Sequence, residues 1–376
     1  MKYIEEFQSP AAVLPALELL KSKIYKNRTY KIMEFCGGHT HTFFKSGLID
    51  LLPPQIQLVH GPGCPVCVLP SHPIENVIEL LEKNPDIILA TYADLMSVPT
   101  KDKESLLKAK GRGLNIKSIY SPIEALTLAR ENPHKIIVFL AIGFETTIPP
   151  TLMALEQAIK EKLTNFRVYC NHLNTTMALT QILKNEKGGG VQIDGLIGPG
   201  HVSAITGSDF FMPFSEKYKK PIVIAGFTAY DLVQSLVMLV EQINTHEYQV
   251  GVEYRRVVNA KGSLLAQDLM NKYLENRKSF EWRGLGEMPE SAFKLKPEFH
   301  QWDAEVEFDL KVKKSQDHPH CLCPKVLMGA KNPMQCKLFA KACTPESPFG
   351  PCMVSSEGAC SAYYLAGRHL KTKEIL

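Results

Sequence analysis

Six of the ten cysteines in this chain of 376 residues lie between residues 321 and 360, and this constrains the fold more than any other feature. Four of them, Cys321, Cys336, Cys343 and Cys360, are separated by 14, 6 and 16 residues. Four thiolates are the usual ligands of an iron–sulfur cluster, because soft sulfur matches cluster iron. Glycines and prolines divide the segment into short loops with little else to fold around. The spacing therefore predicts an iron–sulfur cluster that acts as the core of this segment.

Three other interpretations of these cysteines remain open: a structural zinc site, a disulfide knot and scattered buried thiols. Zinc sites usually show paired CxxC spacings, and the segment contains none. The spacing therefore favours the cluster.

Composition narrows the class of protein. Apolar residues make up 45% of the chain and charged residues 22%, as in ordinary globular proteins, and the length predicts two or three domains. The net charge is +4 with the positive residues dispersed, which does not indicate a nucleic-acid surface. The longest apolar run, 136–142, is too short to span a bilayer, and the N-terminus does not have the pattern of a signal peptide. We expect a cytoplasmic protein whose cysteines serve metal or redox chemistry rather than a secreted disulfide framework.

Buried strands alternate with helices over most of the chain. Helices are predicted near 11–25, 74–81, 122–132, 150–163, 175–185 and 229–244. Strands are predicted at 30–35, 56–60, 86–92, 116–120, 135–142, 166–170, 193–197 and 221–225. Runs such as IIVFLAI, which are apolar without alternation, are typical of strands buried on both faces. The pattern predicts an α/β fold with parallel sheets covered on both sides.

The domain boundaries follow from composition. A polar stretch at 100–113 suggests one α/β domain over 1–110 and a second over 111–245. The pattern changes after residue 250, which gives a C-terminal cysteine domain over 246–376. Within it, 254–258 is expected to be a strand, 263–273 a helix, and 304–308 (AEVEF) a short β-like run.

The first predicted strand runs into Cys36-Gly-Gly-His39-Thr-His41. Strand ends of this kind present functional groups in α/β proteins, and glycines let the backbone approach a ligand. Cys36, His39 and His41 together have the donor types that bind a transition metal. The alternative is a buried cysteine with two hydrogen-bonded histidines.

The second strand ends in GPGCPVC, which places Cys64 and Cys67 before a predicted helix. A CxxC in this position can close into a reducible disulfide, and a helix N-terminus lowers the pKa of the exposed thiol. The alternative is half of a zinc site completed by Cys36 and a histidine.

Three further strand ends are rich in small and polar residues: GFETT at 143–147, GPGHVS at 198–203 and GFTAYD at 226–231. They are expected to line the same cleft, with Glu145 as a proton carrier or hydrogen-bond acceptor, or else to be simple turns. None matches the dinucleotide or P-loop patterns, so nucleotide binding has no support in the sequence. Cys170, within a strand, is expected to be a core residue.

The motifs CGGHTH, GPGCPVC and GFETT and the ending CTPESPFGPCMVSSEGACSAYY resemble those of the HypD family of hydrogenase maturation factors, over about residues 30–364. The resemblance implies two Rossmann-like α/β domains and a third domain with a [4Fe–4S] cluster. It also implies a small chaperone partner of the HypC type and a cyanide donor of the HypE type. On such a scaffold an iron ion acquires two cyanides and one carbon monoxide, giving an Fe(CN)2CO centre for [NiFe]-hydrogenase.

The resemblance also implies roles for individual residues. Cys36 would hold the iron together with a cysteine of the partner, and Cys64 and Cys67 would be the neighbouring dithiol pair. The cleft would be lined by His39, Thr40, His41, Glu145, Thr146 and Thr147. The cluster ligands would be Cys321, Cys336, Cys343 and Cys360. By likeness to ferredoxin:thioredoxin reductase, Cys323 would be a redox thiol beside the cluster that pairs with Cys352.

Two other functions compete with the assembly scaffold. One is a stand-alone iron–sulfur-dependent protein disulfide reductase that uses CPVC for exchange. The other is a zinc-stabilised binding protein without a redox role.

Overall fold

Two parallel β-sheets organise the chain in the computed structural model, which describes residues 7, 9–101, 103–185, 191–315 and 318–368. Sheet A has the strand order β2-β1-β7-β8-β9, and sheet B has the order β4-β3-β5-β6. The strands of sheet A are β1 (Tyr30–Glu34), β2 (Ile56–His60), β7 (Gly195–Pro199), β8 (Ile222–Ala225) and β9 (Val250–Val252). The strands of sheet B are β3 (Ile87–Tyr92), β4 (Ile116–Ile119), β5 (Ile136–Gly143) and β6 (Phe166–His172). The α/β class with parallel sheets is confirmed.

Helices cover both sheets. In chain order they are α1 (Pro10–Lys23), α2 (Gly37–Lys45), α3 (Leu48–Leu51), α4 (Pro65–Val68), α5 (His72–Lys83), α6 (Leu106–Gly111), α7 (Pro122–Glu131), α8 (Ile148–Lys160), α9 (Thr175–Asn185), α10 (Gly200–Thr206), α11 (Met212–Tyr218), α12 (Ala229–Thr245), α13 (Leu264–Tyr273), α14 (Ala304–Glu307), α15 (Cys323–Leu327) and α16 (Ala359–Leu365). Within the described ranges, every helix is too short or too polar to traverse a lipid bilayer.

The core confirms the prediction that the long apolar runs are strands buried on both faces. Phe139 and Leu140 of β5 are fully buried on opposite faces of sheet B, in separate apolar clusters. Helix α12 packs on β7 and β8 and also against α1, with Leu236 and Val240 fully or almost fully buried. Truncation of such a side chain typically costs about 2–5 kcal/mol.

The sheets do not follow the proposed division at residue 110. Strand β3, assigned to 1–110, pairs with β4 and β5. Strand β7, assigned to 111–245, pairs with β1, and β8 pairs with β7. Sheet B is thus built from one continuous stretch of chain inserted between β2 and β7 of sheet A. The polar stretch that suggested the boundary is a surface loop and helix on the way from β3 to β4.

Two small antiparallel pairs follow the sheets: β10 (Leu274–Asn276) with β13 (Phe293–Leu295), and β11 (Ser279–Trp282) with β12 (Gly286–Pro289). Beyond β13, short helices, 3-10 turns and loops form most of the described part of the tail.

Two predictions for the region after residue 250 are wrong. The strand expected at 254–258 lies at Val250–Val252 instead. Tyr254 begins a turn, because its backbone carbonyl accepts hydrogen bonds from the N–H groups of Val257 and Val258. The AEVEF run is helix α14. Asp303 caps it, since its carboxylate accepts from the Glu305 N–H at 2.9 Å.

Candidate functional site

Cys36 and the CPVC loop lie in direct backbone contact at the carboxyl end of sheet A. The Gly37 N–H donates to the Gly63 carbonyl at 2.9 Å. A Cβ atom on Gly63 would stand 2.4 Å from the Cys36 Cα, so only glycine permits this approach. Cys64 and Cys67 form a disulfide around the first turn of α4. The first two cysteine motifs therefore share one corner of the molecule.

A cavity of about 220 Å³ opens beside this corner, between the strand ends of the two sheets. It is lined by Phe35, Cys36, Gly63, Pro65, Phe144, Thr146, Thr147, Thr175, Pro199, His201, Val202 and Glu357. The loops that begin CGGHTH, GPGCPVC, GFETT and GPGHVS thus meet at one hollow, as expected for the carboxyl ends of parallel strands.

The Cys36 thiol lies in an environment that disfavours its ionised form. Burial, together with the carboxylates of Glu357 and Glu34, raises the pKa of Cys36 well above its ordinary value, while the N–H groups of Gly38 and His39 act in the opposite direction. The thiol is therefore neutral at pH 7. A cation at this position would favour the thiolate, because it would offset the two carboxylates.

Residues 39–41 point away from the cavity. The buried His39 ring stacks on Phe227, its Nε2 lies 3.3 Å from the Ala225 carbonyl, and burial lowers its pKa to about 4. Thr40 donates to the Glu34 carboxylate. The half-buried His41 has its Nδ1 3.3 Å from the Ser356 carbonyl.

No group of three metal-ligating side chains among the described residues is arranged to hold a single ion. The metal site proposed for Cys36, His39 and His41 is therefore not formed. The histidines take the alternative role, since they fix the helix that carries Cys36.

The threonines of the GFETT loop face the cavity, whereas its glutamate acts on the cavity only through Thr175. Thr146 and Thr147 line the cavity, and Gly143 must be glycine because a Cβ there would meet the Thr147 hydroxyl. Glu145 is buried behind them. Its carboxylate accepts from the Thr175 N–H at 2.8 Å and from the Thr175 hydroxyl at 2.6 Å, and burial raises its pKa. Glu145 thus positions Thr175 rather than facing a ligand.

The cysteine-rich tail brings its six thiols together. Cys343 is within electrostatic reach of Cys321, Cys336 and Cys360. Cys343 Sγ also accepts from the Phe349 N–H at 3.3 Å. A Cβ on Gly350 would stand 2.6 Å from the sulfur atoms of both Cys321 and Cys323.

The two other thiols of the tail are neighbours. Cys323 and Cys352 are free thiols in hydrogen-bonding contact with each other. Cys323 also contacts Cys321 and Cys360. A set of four thiols with a backbone N–H directed at sulfur, in a segment of short turns, fits a cubane cluster.

Contacts join the tail to the cavity in two places. The turn Pro351–Met353, which holds Cys352, packs against α4 of the CPVC loop. Beside it, the Arg283 N–H donates to the Val68 carbonyl at 2.7 Å. The contact with Cys323 and burial raise the pKa of Cys352, and the Arg283 guanidinium offsets only part of that rise. In the second place, Glu357 of the tail packs on Gly37 and lines the cavity.

Comparisons with known proteins agree with this architecture. The HypD model, described as "Hydrogenase formation hypA family", matches residues 12–367. The hydrogenase maturation factor HypD of Azotobacter vinelandii is 47% identical over 98% of this chain and 97% of its own length. That of Escherichia coli K12 is 41% identical over 97% of this chain and 98% of its own length.

The chain belongs to the HypD family. The resemblance given by the motifs is therefore confirmed, and membership assigns the chain a role in hydrogenase maturation.

The site of this HypD family member contains residues that sequence reasoning missed. In the sequence Glu357 is one residue of the C-terminal motif, yet it reaches the cavity from the tail. Thr175 begins a predicted helix and has no predicted role. His201 was included in a loop but given no role; burial lowers its pKa, and its ring stacks on Phe227 with centroids 3.8 Å apart.

Proposed function

We propose that the protein is the scaffold and redox protein on which the Fe(CN)2CO centre of [NiFe]-hydrogenase is assembled. In this proposal iron is the cargo, and Cys36 binds it together with a cysteine of a HypC-type chaperone. A HypE-type donor supplies the cyanide. One observation carries the proposal: Cys36, the Cys64–Cys67 disulfide loop and Glu357 meet at one cavity, and the cysteine-rich tail packs directly against it.

Cys36 suits an anchor for iron that must also bind cyanide and carbon monoxide. A thiolate is a soft, electron-donating ligand, as such iron requires. The neutral thiol would lose its proton as the iron binds, and the cation would compensate the carboxylates of Glu357 and Glu34. The Thr146 hydroxyl offers a hydrogen bond to small anionic ligands in the same hollow.

The four tail cysteines, Cys321, Cys336, Cys343 and Cys360, would hold a [4Fe–4S] cluster. When bound, such a cluster supplies single electrons. Cys323 and Cys352 lie on the side of the tail that faces the CPVC loop, and we assign them to the passage of electrons toward Cys64 and Cys67. Reduction of that disulfide takes two electrons and two protons and yields two thiols.

The stand-alone disulfide reductase is the weaker candidate. Cys64 and Cys67 are 3% and 0% exposed, so a protein substrate does not reach their sulfur atoms without a rearrangement. A thiol–disulfide exchange enzyme normally exposes its attacking sulfur. A disulfide buried beside Cys36 fits an internal electron store better.

Infrared spectroscopy of the chain co-purified with its chaperone tests the anchor. We expect cyanide and carbonyl bands with the wild type and none with Cys36→Ala. Cys170→Ala serves as the control, because Cys170 is buried in β6 away from the cavity lining. Bands of normal intensity in the Cys36→Ala complex would remove Cys36 from this role.

A further inference from the structure

One segment of the tail, which contains four of its six cysteines, has basic residues without acidic ones. Residues 318–345 contain four lysines, no arginine and no acidic residue. The whole chain has 43 basic and 39 acidic residues, so outside this segment 39 basic residues balance 39 acidic ones. The entire net charge of +4 thus falls on 28 residues.

The four lysines, Lys325, Lys331, Lys337 and Lys341, are exposed. Within the described part of the chain none of them forms an ion pair, whereas the nearby Lys313 pairs with Glu79 at 2.5 Å. Their charges therefore face solvent without local compensation. An unpaired surface charge is screened but still acts over about a Debye length, roughly 8–10 Å at physiological salt.

The lysines lie close in sequence to Cys321 and Cys336, the two half-buried thiols of the predicted ligand set. The Lys331 N–H donates to the Lys325 carbonyl at 3.1 Å, which brings the backbones of these two lysines together at the end of α15. Lys337 directly follows Cys336, whose Sγ lies 3.8 Å from the His320 carbonyl. By contrast, Cys343 and Cys360 are buried.

A fifth lysine comes from the loop after β3. Lys103 Nζ stands 3.8 Å from the centroid of the Phe349 ring, a cation–π contact. The N–H of Phe349 is the donor to Cys343 Sγ. Lys103 is itself exposed, so it extends the same positive surface to the other side of the tail.

We propose that this lysine surface, made of Lys103, Lys325, Lys331, Lys337 and Lys341, docks an acidic protein that carries a one-electron redox centre. The inference rests on the proposed function, because it requires the tail cysteines to bind the cluster. The partner would be oxidised by one electron and the centre bound by the cysteines reduced by one, with no bond made or broken. Electron-transfer complexes use small interfaces with complementary charge, which speed association without binding tightly.

Nucleic acid is the other polyanion that lysines attract, and the surface favours it less. Nucleic-acid interfaces rely on arginine forks and stacking aromatic side chains, and residues 318–345 contain no arginine and one aromatic residue, the buried Phe339. The lysines instead flank the half-buried Cys321 and Cys336 along the chain. That position suits electron entry.

Rapid-mixing kinetics on the full-length, cluster-loaded protein test the docking. The probe is a reduced acidic [2Fe–2S] ferredoxin, and reduced methyl viologen, a small radical monocation that gives up one electron to become the dication, is the reductant that needs no docking. The test variant is Lys331→Glu with Lys337→Glu. The control is Lys26→Glu with Lys117→Glu, which makes the same change in net charge at exposed positions outside the lysine surface.

We expect the test variant to be reduced by ferredoxin about 10- to 100-fold more slowly at low salt, with the difference shrinking as salt rises. The control variant should match the wild type, and methyl viologen should reduce all three proteins at similar rates. Titration calorimetry with oxidised ferredoxin should show weaker binding to the test variant, with or without cluster.

Equal ferredoxin rates and affinities for wild type and test variant would overturn the docking surface while leaving the scaffold intact. Binding of a single-stranded RNA by the wild type more tightly than ferredoxin would also overturn it. A wild-type protein that takes up no iron and sulfide during reconstitution would instead overturn the proposed function, and the docking proposal with it.

Discussion

The cavity and the cysteine-rich tail hold sulfur in opposite ways. Around the cavity, Cys36 and the Cys64–Cys67 pair stand at strand ends, fixed by the two sheets and by glycines that no other residue replaces. In the tail, the thiols sit on turns and on the short helices α15 and α16, and Cys321 and Cys336 are half-buried. The first region is organised by the two sheets, whereas the second, in our proposal, depends on the cluster that its thiols bind.

The strongest test of this contrast is Cys343→Ser. We expect loss of the cluster and a fall in Tm of about 5–10 °C relative to the loaded wild type, because binding to the native state alone contributes about 3–4 kcal/mol. Iron and sulfide analysis with thermal melts would measure it. Cys170→Ser, in a buried strand, should keep the cluster. A cluster retained by Cys343→Ser would show that Cys343 is not a ligand.

Gly63→Ala tests the other region of the comparison, around the cavity. The added Cβ would stand 2.4 Å from the Cys36 Cα, so the two loops must separate. We expect the free energy of unfolding to fall by about 3 kcal/mol, as for a clash that displaces backbone, while iron and sulfide in the tail stay unchanged. Denaturant unfolding provides the measurement, and Gly111→Ala, with nothing within 4 Å, is the control. If Gly63→Ala unfolds like the control, the backbone contact does not stabilise the fold.

Glu357→Gln tests how the tail affects the Cys36 thiol at the point where the tail reaches the cavity. Burial and the Glu357 charge both raise the pKa of Cys36, so removal of the charge should shift its alkylation to lower pH and speed it about tenfold at pH 8. Mass spectrometry after timed iodoacetamide treatment would follow Cys36. Glu346→Gln, fully exposed in the same tail, should have no effect. An unchanged pH profile in Glu357→Gln would show that its charge does not reach the thiol.

The smallest expected effect is that of Arg283→Met, where the tail packs against the CPVC loop. The guanidinium donates to the Pro99 carbonyl at 3.1 Å and lowers the pKa of Cys352. Its loss should raise that pKa and slow alkylation of Cys352 in the cluster-free protein about threefold, an effect of under one pKa unit. Arg283→Lys keeps the charge and should lie between Met and wild type. Identical Cys352 rates in all three proteins would exclude an electrostatic role for Arg283.

The sequence predicted local structure correctly where a residue pattern suits only one kind of structural element. The run IIVFLAI gave β5 because only a strand covered on both faces buries such a run. Likewise, the paired glycines of the strand-end motifs marked the loops that form the cavity.

Pairing at long range could not be derived from the sequence. Nothing local in β7 shows that it lies beside β1 rather than beside the strands that precede it in sequence. A polar residue such as Glu357 gives no sign that it will pack against a glycine 320 positions earlier. The environment of Glu145 behind the threonines likewise depends on Thr175, which belongs to a different element.

The insertion of sheet B between β2 and β7 affects the order of assembly during synthesis on the ribosome. All four strands of sheet B leave the exit tunnel before β7, β8 or β9 has been made. Sheet B can therefore form while β1 and β2 still lack their neighbours, since local segments pair before distant ones. Cys36 gains its complete surroundings only after Glu357 has emerged. A chain that stalls before Glu357 is made thus presents no finished pocket around the Cys36 thiol.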